Sequence, residues 1–159
     1  ILGFIGAARI AVEGRIGATL APTEWLATFD SHWGCDETGG LYMPNPPLLY
    51  GPDYPITITN PDGSVVDEAN LIVDVETTPG TVRIDQSAHP SSACHGRSKI
   101  RWWAGYEHHD EIPENIKVAG LMLIGHLFEN REATTPTAMA PVPLGVEMLL
   151  AATSLAGRY

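Results

Sequence analysis

The amino-acid sequence predicts an α+β fold, in which a helical bundle carries an inserted antiparallel β-sheet of short strands. Apolar residues recur at helical spacing near the start of the chain, which favours a helix there. Short β-branched and aromatic runs, separated by turn residues, fill the middle of the chain. An almost purely apolar stretch, residues 118–128, then indicates a second helix. We expect the 159 residues to form a single domain, because this length fits one domain of ordinary size.

The first helix is predicted over residues 1–18. Its apolar residues follow the i, i+3, i+4, i+7 spacing, which places them on one side of a helix. Glycines within the segment each weaken a helix by up to about 1 kcal/mol, so we expect packing against neighbouring helices to hold it. The apolar stripe consists of Ile1, Phe4, Ile5, Ala8, Val12 and Ile16.

Residues 19–106 are predicted to form the β-rich insertion. The segment Asn60-Pro61-Asp62-Gly63 is typical of a type I turn, and residues 78–80 predict a second turn that joins two strands. Prolines in residues 42–47 exclude a central strand there, because proline lacks a backbone donor. The predicted strands lie within residues 27–30, 57–60, 71–76, 81–85 and 99–103.

A core helix is predicted over residues 113–133. Asp110 and Glu111 precede Pro113, and acidic residues at that position complement the positive end of a helix. Between residues 118 and 128 only His126 is polar, a pattern typical of a helix that is buried all round. A domain of this size covers few such helices by itself, so we interpret the pattern as burial against other subunits.

The segment 134–159 is predicted to be a proline-rich connector followed by a docking helix over about residues 143–156. Its apolar stripe is Val146, Leu149, Leu150 and Thr153. An end this apolar is not a solvated tail, so we expect it to dock on the protein's own core or on a partner.

The charge of the chain restricts its partners. Nineteen acidic residues against nine basic ones give a net charge of −10. This charge argues against free duplex DNA or RNA, or an anionic membrane, as the main partner, because phosphate binding needs a basic surface. No stretch reaches the roughly 18 apolar residues that cross a membrane, so we expect no membrane partner.

One short segment departs from this acidic character. Arg97, Lys99 and Arg101 alternate along a predicted strand, and Trp102, Trp103 and Tyr106 lie beside them. This pattern is typical of platforms that bind single-stranded nucleic acid, although we favour an outward polar face of a sheet or a salt-bridged subunit contact as its explanation. The seven acidic residues within residues 53–90 would complement the basic row between identical neighbours in a ring.

Metal-binding and catalytic motifs are weak. Cys94 with His95, and His108 with His109, are the candidates for a small metalloenzyme, but adjacent side chains rarely share one ion. His126 and Glu129 fit a di-metal helix motif that lacks its second copy. Phosphate-binding glycine loops and nucleophile motifs are missing from the sequence. We expect no enzymatic activity, no cofactor and no metal.

The most informative residues for a family resemblance are IPENIKVAGLMLIGHLFENREA (112–133), followed by PLGVEMLLA (143–151). This region resembles the head–tail connector (adaptor) family of tailed bacteriophages and related gene-transfer particles. Residues 128–133 match the family's aromatic-Glu-Asn-Arg-Glu-Ala motif, and WWAGY (102–106) and PPLL (46–49) are similar to family segments. The end ATSLAGRY departs from the family's Pro-Tyr-Arg type of ending.

The resemblance implies a structural, non-catalytic subunit of a ring of about twelve copies, in the virion neck between capsid and tail. Its partners would be further copies of itself, the portal protein, and a tail-side stopper or tail-terminator protein. Genomic double-stranded DNA would pass through the lumen without specific binding, and assembly would take place in the host bacterial cytoplasm. It also implies that about one helical segment precedes Ile1.

Residues near the two C-terminal helices are predicted to form the subunit and partner interfaces. Arg131 is expected to pair with Glu129 or Glu132 of a neighbour. The alternative function is a nucleic-acid-binding module that uses Arg97, Lys99, Arg101 and Trp103. The predicted interface residues are Leu123, Leu127, Phe128, Glu129, Arg131, Glu132, Val146, Leu149, Leu150, Arg158 and Tyr159.

Overall fold

The computed structural model describes residues 2–30, 40–85, 97–130, 144–151 and 153. These residues form three α-helices and seven β-strands, which confirms the predicted α+β class. The helices are α1 (Leu2–Ile16), α2 (Glu114–Glu129) and α3 (Leu144–Ala151). The strands are β1 (Thr23–Asp30), β2 (Leu41–Tyr42), β3 (Leu48–Leu49), β4 (Thr57–Thr59), β5 (Leu71–Asp74), β6 (Thr81–Ile84) and β7 (Arg97–Ala104).

The chain divides into two compact units. The helical unit combines both ends of the sequence, residues 1–20 and 108–158, and the β unit comprises residues 21–107. All seven strands that the structure describes lie in the β unit.

In the helical unit, the three helices pack around a core of small and medium-sized side chains. Asn115 on α2 donates through Nδ2 to the Leu149 carbonyl oxygen on α3, at 3.0 Å. The Arg15 guanidinium on α1 pairs with the Glu147 carboxylate on α3. These contacts tie α3 to both other helices. The buried core comprises Ala8, Val12, Ile16, Ala18, Ile116, Ala119, Leu123, Val146 and Leu150.

In the β unit, a central strand organises a four-stranded antiparallel sheet. β7 pairs with β1 on one side and with β3 and β4 on the other. A second antiparallel sheet has the order β2-β6-β5. One core serves the whole unit, because Trp102, Ile100 and Ile58 of the first sheet and Val82 and Ile84 of the second are buried together.

The prediction of inserted antiparallel strands is confirmed, and the structure adds that the described strands form two sheets where the sequence indicated one. All five predicted strand regions contain a strand, whereas β2 and β3 were missed because each is only two residues long. A hydrogen-bonded turn is present where the type I turn was predicted, with the Gly63 N–H donating to the Asn60 carbonyl oxygen at 3.0 Å. The second predicted turn joins β5 to β6, which pair in antiparallel register.

The predicted helix boundaries need small corrections. α1 ends at Ile16 because Gly17 takes a left-handed conformation, φ 70°, that terminates helices. Pro113 precedes α2 with a non-helical ψ of 136°, so the helix begins at Glu114. The described part of the chain contains α2 to Glu129, and residues 131–143, 152 and 154–159 lie outside it.

Candidate subunit interface

The apolar sequence of α2 is covered on one side only by described residues. Ile116, Ala119 and Leu123 recur at intervals of three and four residues and face the core. Leu121 lies two residues from Leu123 and is 68% exposed, against 7% for Leu123. The sequence predicted that α2 is buried on all sides in its assembly. Within the protomer, α1 and α3 cover only one side of this helix.

The exposed side of α2 continues onto α3. Val118, Leu121 and Met122 are exposed on α2, and Leu144 and Met148 are exposed at i, i+4 spacing on α3. The two sets are close, because a Cβ atom placed on Gly145 would lie 3.1 Å from the Met122 Cε. We call these five residues the apolar helical face. Exposed apolar side chains on adjacent helices are typical of a site where another protein binds.

Charged groups lie at the margins of the apolar helical face. Glu114 at the start of α2 pairs with Lys117 at 3.2 Å, and Glu129 lies at the other end of the helix. Glu147 on α3 is held by Arg15. An apolar centre with a polar margin is the usual composition of a protein–protein interface.

The structure corrects three of the predicted interface residues. Leu123, Val146 and Leu150 are buried in the protomer's own core, so they stabilise the fold rather than provide a surface. Leu127 and Leu149 are half-buried against the same core. A helix that is apolar on every side carries no sequence signal for which side its own chain will cover.

The remaining predicted interface residues divide into two groups. Phe128 and Glu129 are exposed, and the Phe128 ring meets the Phe4 ring edge-on, with centroids 6.4 Å apart. The other four lie outside the described residues: Arg131, Glu132, Arg158 and Tyr159. All five residues of the apolar helical face were missed in the sequence analysis: Val118, Leu121, Met122, Leu144 and Met148.

The basic row on β7 has the predicted alternation. Arg97, Lys99 and Arg101 are exposed, and the residues between them are buried. Trp102 is in the core instead of beside the basic residues, and this corrects the predicted aromatic platform. Trp103 is half-buried, and its ring packs edge-on against Tyr54 at a centroid distance of 5.7 Å. Base stacking therefore has little aromatic surface available beside this row.

Tyr106, the third aromatic residue beside the basic row, is also partly buried. Tyr106 is half-buried, and desolvation raises the pKa of its hydroxyl above the ordinary value. A partly enclosed, neutral phenol belongs to the packing of the β unit. The basic row is thus an exposed line of charge without the stacking surface that single-stranded nucleic acid requires.

The histidine candidates lie on an exposed turn. His109 begins the short 3-10 helix His109–Glu111, and its Nε2 lies 2.9 Å from an Asp110 carboxylate oxygen at the surface. Among the described residues, no three His, Cys, Asp or Glu side chains group closely enough to hold a metal ion. Cys94 and His95 lie outside those residues. None of the helices in the described part of the chain is both long enough and apolar enough to cross a membrane.

The sequence matches no protein-family model and no curated protein. Its structure is similar to a chain from the virion of a native gene transfer agent particle, with a TM-score of 0.71 at 20% identity. That match covers 99% of this chain and 80% of the other. The fold is that of a gene transfer agent particle protein.

Two structures of the particle neck give the same result. A chain in the neck of the native particle, computed with C12 symmetry, has a TM-score of 0.71 and 20% identity, over 99% of this chain and 85% of that one. A chain in the neck of the empty particle, computed with C6 symmetry, has a TM-score of 0.66 and 21% identity, over 99% and 80%. The neck-protein fold agrees with the fold that the sequence resemblance implied.

Proposed function

We propose that the chain is a structural subunit of the neck of a virus-like particle, where it forms the adaptor ring between portal and tail. The observation that carries this proposal is the apolar helical face, which a solitary protomer would leave in water. The neck-protein fold supports the same function, since the similar chains come from particles and necks. The role is mechanical, and the chain has no enzymatic activity, cofactor or metal.

Burial of the apolar helical face is large enough to matter for assembly. Complete burial of one Leu or Met side chain contributes about 1.5–3 kcal/mol. Association of two proteins must offset about 4–15 kcal/mol of lost freedom. Five such side chains therefore meet that requirement only when a neighbour covers most of them, which favours a stable, well-packed contact over a transient one.

A closed ring is the arrangement we propose for the copies. About twelve copies would match the C12 symmetry used for the neck of the native gene transfer agent particle. Arg131 would pair with Glu129 or Glu132 of a neighbour, and the C-terminal segment with Arg158 and Tyr159 would dock on the portal protein. The opposite side would receive a stopper or tail-terminator protein.

The ring would also extend the DNA channel. At −10 for each chain, about twelve copies carry about −120, and an acidic lumen repels the DNA phosphates. Double-stranded DNA would then pass without specific binding. The site of action would be the virion neck, and assembly would take place in the host bacterial cytoplasm.

The test replaces exposed apolar residues of α2 and α3 by acidic ones. Leu121→Asp with Met148→Asp should abolish rings in sedimentation and negative-stain electron microscopy, because the neighbour would have to bury two charges. The protomer should keep its thermal unfolding temperature, since both side chains are exposed in it. If the double variant formed rings at the same protein concentration as the wild type, the proposed interface would be refuted.

Two controls complete the test. Tyr42→Asp changes an exposed residue of the β unit and should leave the rings intact. Leu123→Ala should have the opposite effect to Leu121→Asp, because it removes a core side chain and destabilises the protomer by about 2–5 kcal/mol. The pair Leu121 and Leu123 thus separates assembly from folding on one helix.

A further inference from the structure

The outer face of the four-stranded sheet carries a groove. Residues of β7 alternate between exposed and buried, so Lys99 and Arg101 lie on the face opposite the core of the β unit. β1 and β4 pair with β7 on its two sides and bring further side chains to the same face. The groove has a volume of about 220 Å³ and is lined by Leu26, Thr57, Thr59, Lys99 and Arg101. We call it the basic groove.

Cross-strand pairing explains how the basic groove is built. On β4, Thr59 is the partner of Lys99 and Thr57 is the partner of Arg101. On β1, Leu26 is the partner of Arg101. Side chains directly opposite each other on neighbouring strands lie about 4.5–5.5 Å apart at Cβ. Two cationic groups, two hydroxyls and one apolar side chain therefore share a small area.

The positive charge of the basic groove is largely uncompensated within the protomer. Lys99 is exposed and forms no ion pair or hydrogen bond through its side chain with any described residue. Arg101 lies 3.6 Å from Glu24, but both side chains are about half exposed, and an exposed pair of this kind is weak. Among the described residues, no acidic one lines the groove.

The chemistry of the basic groove suits a carboxylate. All its polar side chains can donate a hydrogen bond to an anionic oxygen. Sites for drug-sized molecules occupy about 300–1,000 Å³, so this groove is too small for a nucleotide and accommodates one or two side chains. Leu26 is 60% exposed and offers a contact for the methylene groups of an Asp or Glu side chain.

A second copy of this chain has the charge that matches the basic groove. Each chain carries 19 acidic and nine basic residues, so the surface that a neighbour presents is predominantly acidic. In the described ranges of the β unit, Asp53 and Glu76 are examples of exposed carboxylates without an ion pair. A ring also holds identical copies at a high effective concentration, which favours their carboxylates over those of free molecules.

We propose that the basic groove binds an acidic side chain of the neighbouring copy in the ring, with Lys99 as the principal cation. This inference rests on the proposed function. Lys99 and Arg101 form charge-assisted hydrogen bonds with the carboxylate, and the hydroxyls of Thr57 and Thr59 donate further ones. The contact adds orientation and specificity to the affinity that the apolar helical face provides.

Zero-length cross-linking tests the contact directly, because the sequence contains only two lysines, Lys99 and Lys117. A carbodiimide joins an ammonium group to a carboxylate only where the two touch. In rings of mixed isotope-labelled and unlabelled full-length chains, mass spectrometry should find Lys99 linked to an acidic residue of another copy. Lys117 lies 3.2 Å from Glu114 of the same chain, so its link within one copy serves as an internal control.

A conservative variant sharpens this readout. Lys99→Arg should keep the rings and lose the intermolecular link, because arginine keeps the positive charge but is not joined by a carbodiimide. Lys117→Arg should keep the intermolecular link. Wild-type rings in which Lys99 forms no link to another copy would overturn this inference and leave the proposed function standing.

Charge reversal measures what the contact contributes to assembly. Lys99→Glu should raise the concentration at which rings form at least about tenfold, because the neighbour's carboxylate would face a like charge. Arg83→Glu makes the same change of charge at an exposed position of β6 in the other sheet and should leave that concentration unchanged. Unchanged assembly in Lys99→Glu, or an equal loss in both variants, would overturn the inference.

The hydroxyls provide a test that does not alter charge. Thr57→Val with Thr59→Val keeps the shape of both side chains and removes two donors. The concentration needed for ring formation should rise roughly threefold to tenfold, less than for Lys99→Glu. Wild-type assembly in this double variant would contradict the proposed role of the two threonines.

Other occupants of the basic groove give different results. Salt-dependent binding of double-stranded DNA that is lost in Lys99→Glu would assign the groove to phosphate and overturn the inference. Lys99 links that reach only another protein of the assembled neck would overturn the assignment to a second copy. A wild-type chain that stays monomeric at every concentration, alone and on portal-bearing capsids, would overturn both this inference and the proposed function.

Discussion

The helical unit and the β unit treat their apolar residues differently. In the β unit, two sheets share one core, and its largest side chains, Trp102, Ile58 and Ile100, are almost completely enclosed. In the helical unit the core is built from small and medium-sized residues, while Leu121 and Met148 remain in solvent. Two sheets cover each other's inner faces, whereas three helices leave an outer side on each helix. The β unit thus encloses its largest apolar side chains by itself, whereas we propose that a neighbour covers the exposed side of the helical unit.

The largest change in stability is expected from a substitution in the core of the β unit. Trp102 and Trp25 are cross-strand partners on β7 and β1, but Trp102 is 1% exposed and Trp25 is 37% exposed. Trp102→Ala should lower the free energy of unfolding of the β unit by about 3–5 kcal/mol. Trp25→Ala should lower it by about 1 kcal/mol. Urea unfolding followed by circular dichroism measures both, and equal losses would contradict the proposed core.

The next effect compares a glycine from each unit. Gly105 in the β unit has φ +126°, and a Cβ atom there would lie 2.4 Å from the Ala21 carbonyl oxygen. Gly105→Ala should therefore destabilise the protomer by at least about 1–3 kcal/mol. Gly120 on α2 has open space around it, so Gly120→Ala should stabilise the helix by up to about 1 kcal/mol. Thermal unfolding measures both changes, and a loss of stability in Gly120→Ala would show that the site is crowded.

The smallest effect concerns pH and the turn of the β unit. The Ser64 hydroxyl, with the Ser64 N–H, donates to the Asp62 carboxylate and holds its pKa below the ordinary value. A lowered pKa in the folded state stabilises the fold above the ordinary pKa, and this contribution is lost as the pH falls through the folded value. Ser64→Ala should raise the pKa of Asp62, measured by nuclear magnetic resonance titration.

The same variant should lose stability at neutral pH and lose less at a pH below the lowered pKa of Asp62, where this residue is protonated in the folded and unfolded states. Asp62→Asn is the control, because it removes the titrating group and with it this part of the pH dependence. A pKa of Asp62 that stays lowered in Ser64→Ala would assign the shift to another cause.

Local sequence signals predicted much of the β unit. The turn at residues 60–63 needed only its own Pro and Gly, and the alternation on β7 followed directly from the period of a strand. Strands of two residues, β2 and β3, give no period to detect, and their positions depend on pairing with β6 and β7. The burial of Trp102 was not predicted either, because the sequence of a strand does not show which of its two faces packs against the second sheet.

The amino-acid sequence by itself determined the elements: three helices around a strand-rich insertion, and a basic row at alternate positions of β7. Only the tertiary structure decided which apolar helical residues are enclosed, Leu123 and Leu150, and which remain outside, Leu121 and Met148. The physical reason is that hydrophobic burial has no direction of its own. On a helix that is apolar all round, the side that is covered depends on where the other helices lie, and this is set by contacts distant in the sequence.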